Sequence, residues 1–240
     1  MVKKSAEVSR ETLEHLLAQT QLPFTLREEQ KQQLASYAHL LRTYNERVNL
    51  ISRKSADELE KRHLLHSLSL GLRSFPAGSE VVDWGTGGGL PGIPLAILFP
   101  EIHVHLVDSI AKKTRVVQEI IDTLGLPNVK VWNVRAEHWP EKAHYAVSRA
   151  TAPLQKLWKW YHKVQQPVES VREADSWEPG LLALKGGDLS EEIRRLKRKY
   201  PHTQVQLISL EPVMQQPYFA EKYLVHVTAS ESRSSEQDQA

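Results

Sequence analysis

The sequence predicts an α/β fold, a mostly parallel sheet wrapped by helices, with a helical segment ahead of it. Two observations predict this. Beyond residue 78, short apolar runs alternate with amphipathic ones, and the first apolar run, 81–84, ends on a glycine-rich loop that leads into a helix from Gly92. Antiparallel hairpins would need short turns between consecutive runs; here helix-length segments separate most of them.

The elements follow in order. Lys3 and Lys4 precede no apolar stretch, because Glu7, Arg10, Glu11, Glu14 and His15 interrupt residues 5–20, so the N-terminus does not read as a signal peptide. Across 25–50, Leu34, Tyr37, Ala38, Leu41, Tyr44 and Val48 recur at steps of three or four, one face of an amphipathic helix. A second helix is expected over 56–72, punctuated by Gly71, Pro76 and Gly78. These observations give a helical N-terminal cap over 1–78 and an α/β domain over 79–228. Strands are expected at 81–84, 102–107, 129–132, 145–148, 181–184, 205–210 and 223–227, with helices from Gly92 and over 111–124, 153–164 and 188–199. Helix 111–124 carries Val116, Val117, Ile120, Ile121 and Leu124 on one stripe and is stopped by Gly125 and Pro127. The polar, acidic segment 165–179, broken by Pro167 and Pro179, reads as an inserted surface loop. Residues 229–240 have nothing to bury and read as a disordered tail.

Composition excludes several chemistries. The chain has no cysteine, which removes disulfide scaffolds, zinc ribbons, thiolate-held clusters and a cysteine nucleophile, and fits a cytoplasmic setting. With 31 Lys+Arg against 29 Asp+Glu, the net charge is only +2, so any nucleic-acid contact must be a local patch. The most apolar window, 90–99, contains Pro91 and Pro94 and falls short of the ~20 residues of a membrane span, so no membrane partner is expected.

The strongest chemical signal is Val82-Asp83-Trp84-Gly85-Thr86-Gly87-Gly88-Gly89-Leu90-Pro91-Gly92. Alternating glycines after a buried strand let the backbone turn and approach a ligand with no Cβ in the way. Asp108, at the end of the next strand, is placed to bond a ribose hydroxyl, and Ala136 and Glu137, after the third, to face an adenine amino group. A nicotinamide site uses Gly-x-Gly-x-x-Gly with a pyrophosphate at the helix start. Here the pattern is Gly-x-Gly-x-Gly with Asp83 beside it, a carboxylate that repels phosphate and suits the ammonium of a methionine moiety, directly or through water. S-adenosylmethionine is therefore favoured over NAD; a glycine-rich turn with no ligand is the bland alternative.

Extended along the chain, these residues resemble a known family. Asp83 to Pro94, Leu106-Val107-Asp108-Ser109 with Lys112-Lys113, Ser148-Arg149-Ala150 and Ala183-Leu184-Lys185-Gly186 are similar to the bacterial small-subunit ribosomal RNA guanine-N7 methyltransferases, formerly called glucose-inhibited division protein B. The likeness also takes in Tyr44 to Ser52 and Arg62 to Leu68 and covers roughly residues 25 to 228. It implies a class I methyltransferase fold, Rossmann-like with seven strands, a helical N-terminal cap, S-adenosyl-L-methionine as cofactor, and a guanine of small-subunit (16S) ribosomal RNA, or of the ribosomal particle, as acceptor. Carried over by position, Gly85, Gly87 and Leu90 would contact the cofactor at the loop, Asp108 its ribose, Ala136 and Glu137 its adenine end, and Arg149 its methionine side. The chain departs from the family pattern at His66, where an aspartate is usual, and in the length of loop 165–179.

Methyl transfer from a sulfonium is an in-line displacement at ~3 Å contacts, and guanine N7 has a free lone pair and no proton, so no general base is required. An exocyclic-amine methyltransferase would carry an Asn/Asp-Pro-Pro-aromatic run where this chain has Ser148-Arg149-Ala150-Thr151-Ala152-Pro153, and methylation at pyrimidine C5 would need the cysteine the chain lacks. Candidate RNA contacts are Arg149, Lys185, and Asn49 with Arg47, Arg53 and Lys54. The basic run Arg194 to Lys199 is equally explained by helix-dipole complementarity after Glu191 and Glu192. The pairs His63/His66 and His103/His105 lack further ligands at metal spacing, and Trp132 and Trp139 read as core or pocket wall. A methyltransferase with a non-RNA acceptor and a non-enzymatic ribosome-associated module are the rival readings. Nothing in the sequence demands more than a monomer.

Overall fold

The computed structural model describes residues 2–52, 56–149, 151–167 and 174–229, with side chains from residue 7. Two helices, α1 (Val2–Ala18) and α2 (Glu28–Asn45), open the chain. Strands β1 (Glu80–Trp84), β2 (His103–Asp108), β3 (Val129–Asn133), β4 (Tyr145–Arg149), β5 (Gly180–Gly186), β6 (Thr203–Ser209) and β7 (Lys222–Ala229) form one sheet. The strand order is β3-β2-β1-β4-β5-β7-β6, parallel except for β7, which runs antiparallel to both its neighbours. Helices α3 (Gly92–Leu98), α4 (Ala111–Leu124), α5 (Leu154–Val164) and α6 (Ser190–Lys199) connect the strands. The order reverses between β1 and β4, so a crevice opens beyond their carboxyl ends, where ligands bind in open α/β sheets.

The central strands are covered on both faces, which is why they read as apolar runs. Val81, Leu106, Tyr145 and Val147 pack with α3, α4 and the N-terminal helices, whereas Val82, Trp84, Val107 and Ala146 pack with α5 and α6. Residue 78 marks a change of element type without a break in the core, because Leu34, Tyr37 and Leu41 of α2 share a cluster with Leu90, Ile93 and Val117. Buried Gln30 latches α2 to α3 by donating through Nε2 to the carbonyls of Ile97 and Leu98 at 2.8 and 2.9 Å. Tyr37 donates its hydroxyl to the Gly88 carbonyl at 2.9 Å, so the N-terminal helices buttress the glycine loop.

Residues 2–18, at the start of the expected cap, form α1, whose Leu13 is fully buried. The structure corrects three expectations. The helix expected over 56–72 is not regular: a π-helical stretch, Glu60–Leu65, runs into a short α turn, His66–Leu68, and a 3-10 turn, Ser69–Leu72. That geometry buries both imidazoles and Glu60, which receives two hydrogen bonds from Arg42 at 2.8 and 2.6 Å. Ala229 is no part of a tail; it ends β7 opposite Thr203, while 230–240 lie outside the described residues.

The third correction concerns segment 165–179, of which 168–173 lie outside the described residues. Its far end is not at the surface: Trp177 is fully buried, donates Nε1–H to the Leu70 carbonyl at 2.8 Å, and its own carbonyl accepts from Tyr145 at 2.8 Å. The indole outweighs the polarity of its neighbours, which is why composition misled. Trp177→Ala is expected to cost about 3–5 kcal/mol of stability, the usual loss for a buried Trp or Phe. Denaturant unfolding checks it; a change below about 1 kcal/mol would refute the anchoring role.

Candidate functional site

The glycine loop leaves β1 at Trp84 and enters α3 at Gly92. Asp83 lies under it, fully buried, with Oδ2 accepting from Thr86 Oγ1 at 2.6 Å and from the Gly92 N–H at 3.0 Å. Its Oδ1 is buried with no partner. Burial pushes the carboxyl up to about 7, against the hydrogen bonds from Thr86 and Gly92 and the charge of Arg149. Of the two contacts expected with a ligand's ammonium group, directly or through water, burial argues against the direct one: the side chain is a strut inside the loop.

Asp108 ends β2 and faces the loop from the next strand. Its Oδ2 accepts from the Gly87 N–H at 3.0 Å and its Oδ1 from the Ile110 N–H at 2.9 Å. A cavity of about 390 Å³ is lined by Gly85, Asp108, Ala136, Glu137, Thr151 and Lys156, among others. The topology thus brings together four expected cofactor residues, Gly85, Asp108, Ala136 and Glu137. Glu137 is held below its ordinary carboxylate range first by its own backbone N–H and also by Trp160 and Lys156, against desolvation. Leu90 is different, since its side chain is buried in the core beneath the loop.

A second cavity, of about 630 Å³, lies beyond β4 and β5, with His66, Arg149, Lys185, Glu192, Tyr218 and Lys222 in its lining. Arg149 ends β4, and its Nη1 donates to the Arg62 carbonyl at 3.5 Å while Nε is buried with no partner. Burial lowers its pKa, opposed by Tyr37, Tyr218 and Asp83. The expected cofactor set is therefore split, with Arg149 on the second cavity. Lys185 is not a free cation: its Nζ donates to the Ala152 carbonyl at 2.7 Å and to Glu192 Oε1 at 3.1 Å. Asn49 is exposed and lines neither cavity; Arg53 and Lys54, expected beside it, and Ala150 lie outside the described residues.

Sequence reasoning weighed His66 as half of a metal pair and as a departure from the family's aspartate, read Glu192 only as a helix-start acid, and passed over Tyr218 and Lys222. Burial first, then the charge of Arg149, pushes both His63 and His66 down to about 3, so both are neutral at pH 7. Among the described residues no group of three or more His, Cys, Asp or Glu is placed to hold a metal ion. Tyr218 lies in a short turn before β7, with the Arg62 guanidinium and the Lys222 ammonium 5.0 and 5.3 Å from its ring centroid. The signal that could have found it is the Pro217-Tyr218-Phe219 triplet preceding the last strand. Arg194 and Arg195 both donate to Glu191 at 2.7 Å, as helix-surface pairs do. Trp139 is buried and packs edge-on against Trp84 at 5.4 Å.

Among the described residues no helix is long and apolar enough to cross a membrane. The GidB family model, described as rRNA small subunit methyltransferase G, matches residues 30–219. A curated relative from Salinibacter ruber, named Ribosomal RNA small subunit methyltransferase G, is 50% identical over 207 residues, covering 85% of this chain and 96% of its own. A relative of the same name from Bacteroides fragilis is 41% identical over 204 residues, covering 85% and 95%. Solved structures share the fold at low identity. Magnesium protoporphyrin IX methyltransferase from Synechocystis, with bound SAM, has TM-score 0.53 at 12% identity over 81% of this chain and 97% of that one. A ribosomal protein L11 methylase from Lactobacillus delbrueckii has TM-score 0.51 at 12% identity over 73% and 79%.

Proposed function

Because the chain belongs to the rRNA small subunit methyltransferase G family, we propose that it transfers a methyl group from S-adenosylmethionine to N7 of a guanine in small-subunit ribosomal RNA. The observation that carries the reading is a pair of cavities at the carboxyl ends of the strands, one lined by Gly85, Asp108 and Thr151 and the other by Arg149 and unpartnered polar atoms, with Thr151 donating to the carbonyls of both Gly85 and Arg149.

The residues present fit the cofactor. A Cβ on Gly85 would overlap the Thr151 side chain, so the loop is shaped around an approach that only glycine permits. Asp108 is held by two backbone N–H groups with lone pairs left for a ribose diol, and Ala136 and Glu137 line the same cavity. Gly87 fixes Asp108, and Leu90 packs the loop from below. Arg149, whose buried Nε lacks a partner, is suited to a carboxylate at the methionine end. When bound, S-adenosylmethionine supplies a sulfonium-activated methyl, so the N7 lone pair forms the new N–C bond as the C–S bond breaks with its electron pair going to sulfur. No proton has to leave. The protein's work is accordingly to align the reactants and exclude water. Lys185 acts from inside the site, through Glu192. Asn49, exposed beyond α2, is assigned to contact with RNA outside the pocket. We place the reaction in the cytoplasm, on ribosomal RNA or its particle, with the protein a monomer.

The test is incubation with labelled S-adenosylmethionine and small subunits lacking the modification, followed by borohydride and aniline. Label in the RNA with scission at a guanine is expected. Label without scission would refute N7 as the acceptor atom, and label confined to protein or to small molecules would refute RNA as the substrate.

A further inference from the structure

Resting on that reading, we propose that the second cavity receives the acceptor guanine and that the Glu192 carboxylate reads its Watson–Crick edge. Glu192 sits in the first turn of α6, and its Oε1 is pinned at 3.1 Å by Lys185 Nζ, which is itself anchored on the Ala152 carbonyl. Its Oε2 is buried with no hydrogen-bond partner. On the same cavity His66, 5% exposed, also has Nε2 buried without a partner. Native interiors satisfy the large majority of their buried polar atoms, so these two, besides the Arg149 Nε assigned to the cofactor, point to a second polar ligand.

The chemistry of the lining selects guanine. Guanine carries two adjacent donors on one edge, N1–H and N2–H, which a carboxylate can accept together; adenine presents only N6–H on that edge beside the N1 acceptor. A base must leave the stack to be modified, which requires an enclosing pocket, and about 630 Å³ lies within the ~300–1,000 Å³ usual for ligand sites. Charge agrees as well. Methylation at N7 moves a positive charge onto the purine, and a carboxylate across the ring stabilises it as it develops. The hydrogen bond from N1–H to Glu192 also draws electron density toward the N7 side of the ring system. His66, being neutral, adds no repulsion to the purine cation, whereas Arg149, Lys185 and Lys222 line the same cavity, so the Glu192 carboxylate is the group that offsets them. Lys185 is then a positioning residue whose effect passes through Glu192.

Three variants, Glu192→Gln, Lys185→Met and the double variant, test this on unmodified small subunits at saturating S-adenosylmethionine. Glu192→Gln is expected to lower kcat on the order of a hundredfold, with the cofactor Kd by calorimetry and the melting midpoint unchanged. Lys185→Met should lose less. The double variant should lose no more than Glu192→Gln alone, because the lysine has nothing to act on once the carboxylate is gone. Should Glu192→Gln unfold, Glu192→Asp keeps the charge one methylene back and is expected to lose kcat with normal cofactor binding. Near-normal kcat in Glu192→Gln, or a double variant losing the product of the two single effects, would overturn the assignment. If the wild-type protein itself puts no label into RNA, it is the proposed function that fails.

Discussion

Replacing Gly85 by alanine is expected to weaken S-adenosylmethionine binding on the order of a hundredfold, equivalent to about 2.7 kcal/mol. Two costs combine. Gly85 has φ +70°, a left-handed conformation that costs an L-residue roughly 1–2 kcal/mol. The new methyl would also overlap Thr151, whose hydroxyl donates at 3.2 Å to the carbonyls of Gly85 and Arg149. Thr151 lines the smaller cavity and adjoins the end of β4, so its displacement is transmitted to the cofactor side of the crevice. Gly78→Ala separates strain from site. Gly78 has φ +75° with nothing within 4 Å of the added Cβ, so that variant should lose a similar increment of stability and bind cofactor normally. Titration calorimetry on both decides it. Equal affinity in the wild type and Gly85→Ala would show that the loop does not contact the cofactor.

The sheet was legible because its physics is local. Each strand buried on both faces reads as an apolar run, and helix 111–124 was read to its exact bounds because Gly125 and Pro127 stop it while its stripe faces the sheet. The 56–72 region was harder, since a π-helical turn preserves helical composition while rotating His63, His66 and Glu60 inward, and no propensity marks that shift. Trp177 was hidden by polar neighbours in a segment whose docking depends on Leu70 and Tyr145, distant in the chain.

The site divides the same way. Gly85, Asp108, Ala136 and Glu137 follow β1, β2 and β3 and converge on one cavity because the parallel register carries those ends to one edge. Asp83 carried a pattern consistent with ligand contact, yet the loop folds over it, and only three-dimensional closure decides between a surface acid and a strut. Lys185 was expected to contact RNA, and its pairing with Glu192 follows from how α6 turns back over β5, which no spacing rule contains. The N-terminal helices likewise do more than extend the core. Through Tyr37 they hold the Gly88 carbonyl, and a Cβ at Gly88 would press on Leu41, so the loop that carries the proposed chemistry is shaped from both sides.

Acid is expected to destabilise the protein steeply below pH 6.5, from buried neutral histidines. His63 and His66 are pushed down to about 3 and His226 to about 4, in each case first by burial. Arg149 and Arg62 add repulsion at His63, Arg149 and Lys222 at His66, and Arg73 at His226. With folded values below the unfolded value of 6.5, the histidines contribute stability that is complete above pH 6.5 and lost as pH falls toward the folded values. Asp83 has the opposite sign. Its folded value, about 7, lies above the unfolded 3.8, so it favours the folded state at low pH and loses that contribution as pH rises toward 7. Near pH 5, unfolding takes up about three protons at the histidines and releases about one at Asp83, a net of about two. Stability should therefore rise by about 2.7 kcal/mol per pH unit between pH 5 and 6, at about 1.36 kcal/mol per proton. Denaturant unfolding across that interval measures the slope. Asp83→Asn removes the released proton, so its slope should steepen to about three protons per molecule, or about 4 kcal/mol per pH unit. A wild-type stability that is flat from pH 5 to 6 would mean that these imidazoles are already protonated, or reachable by water, in the folded protein. The His66 side of the larger cavity would then not be the neutral wall beside the purine cation that methylation forms.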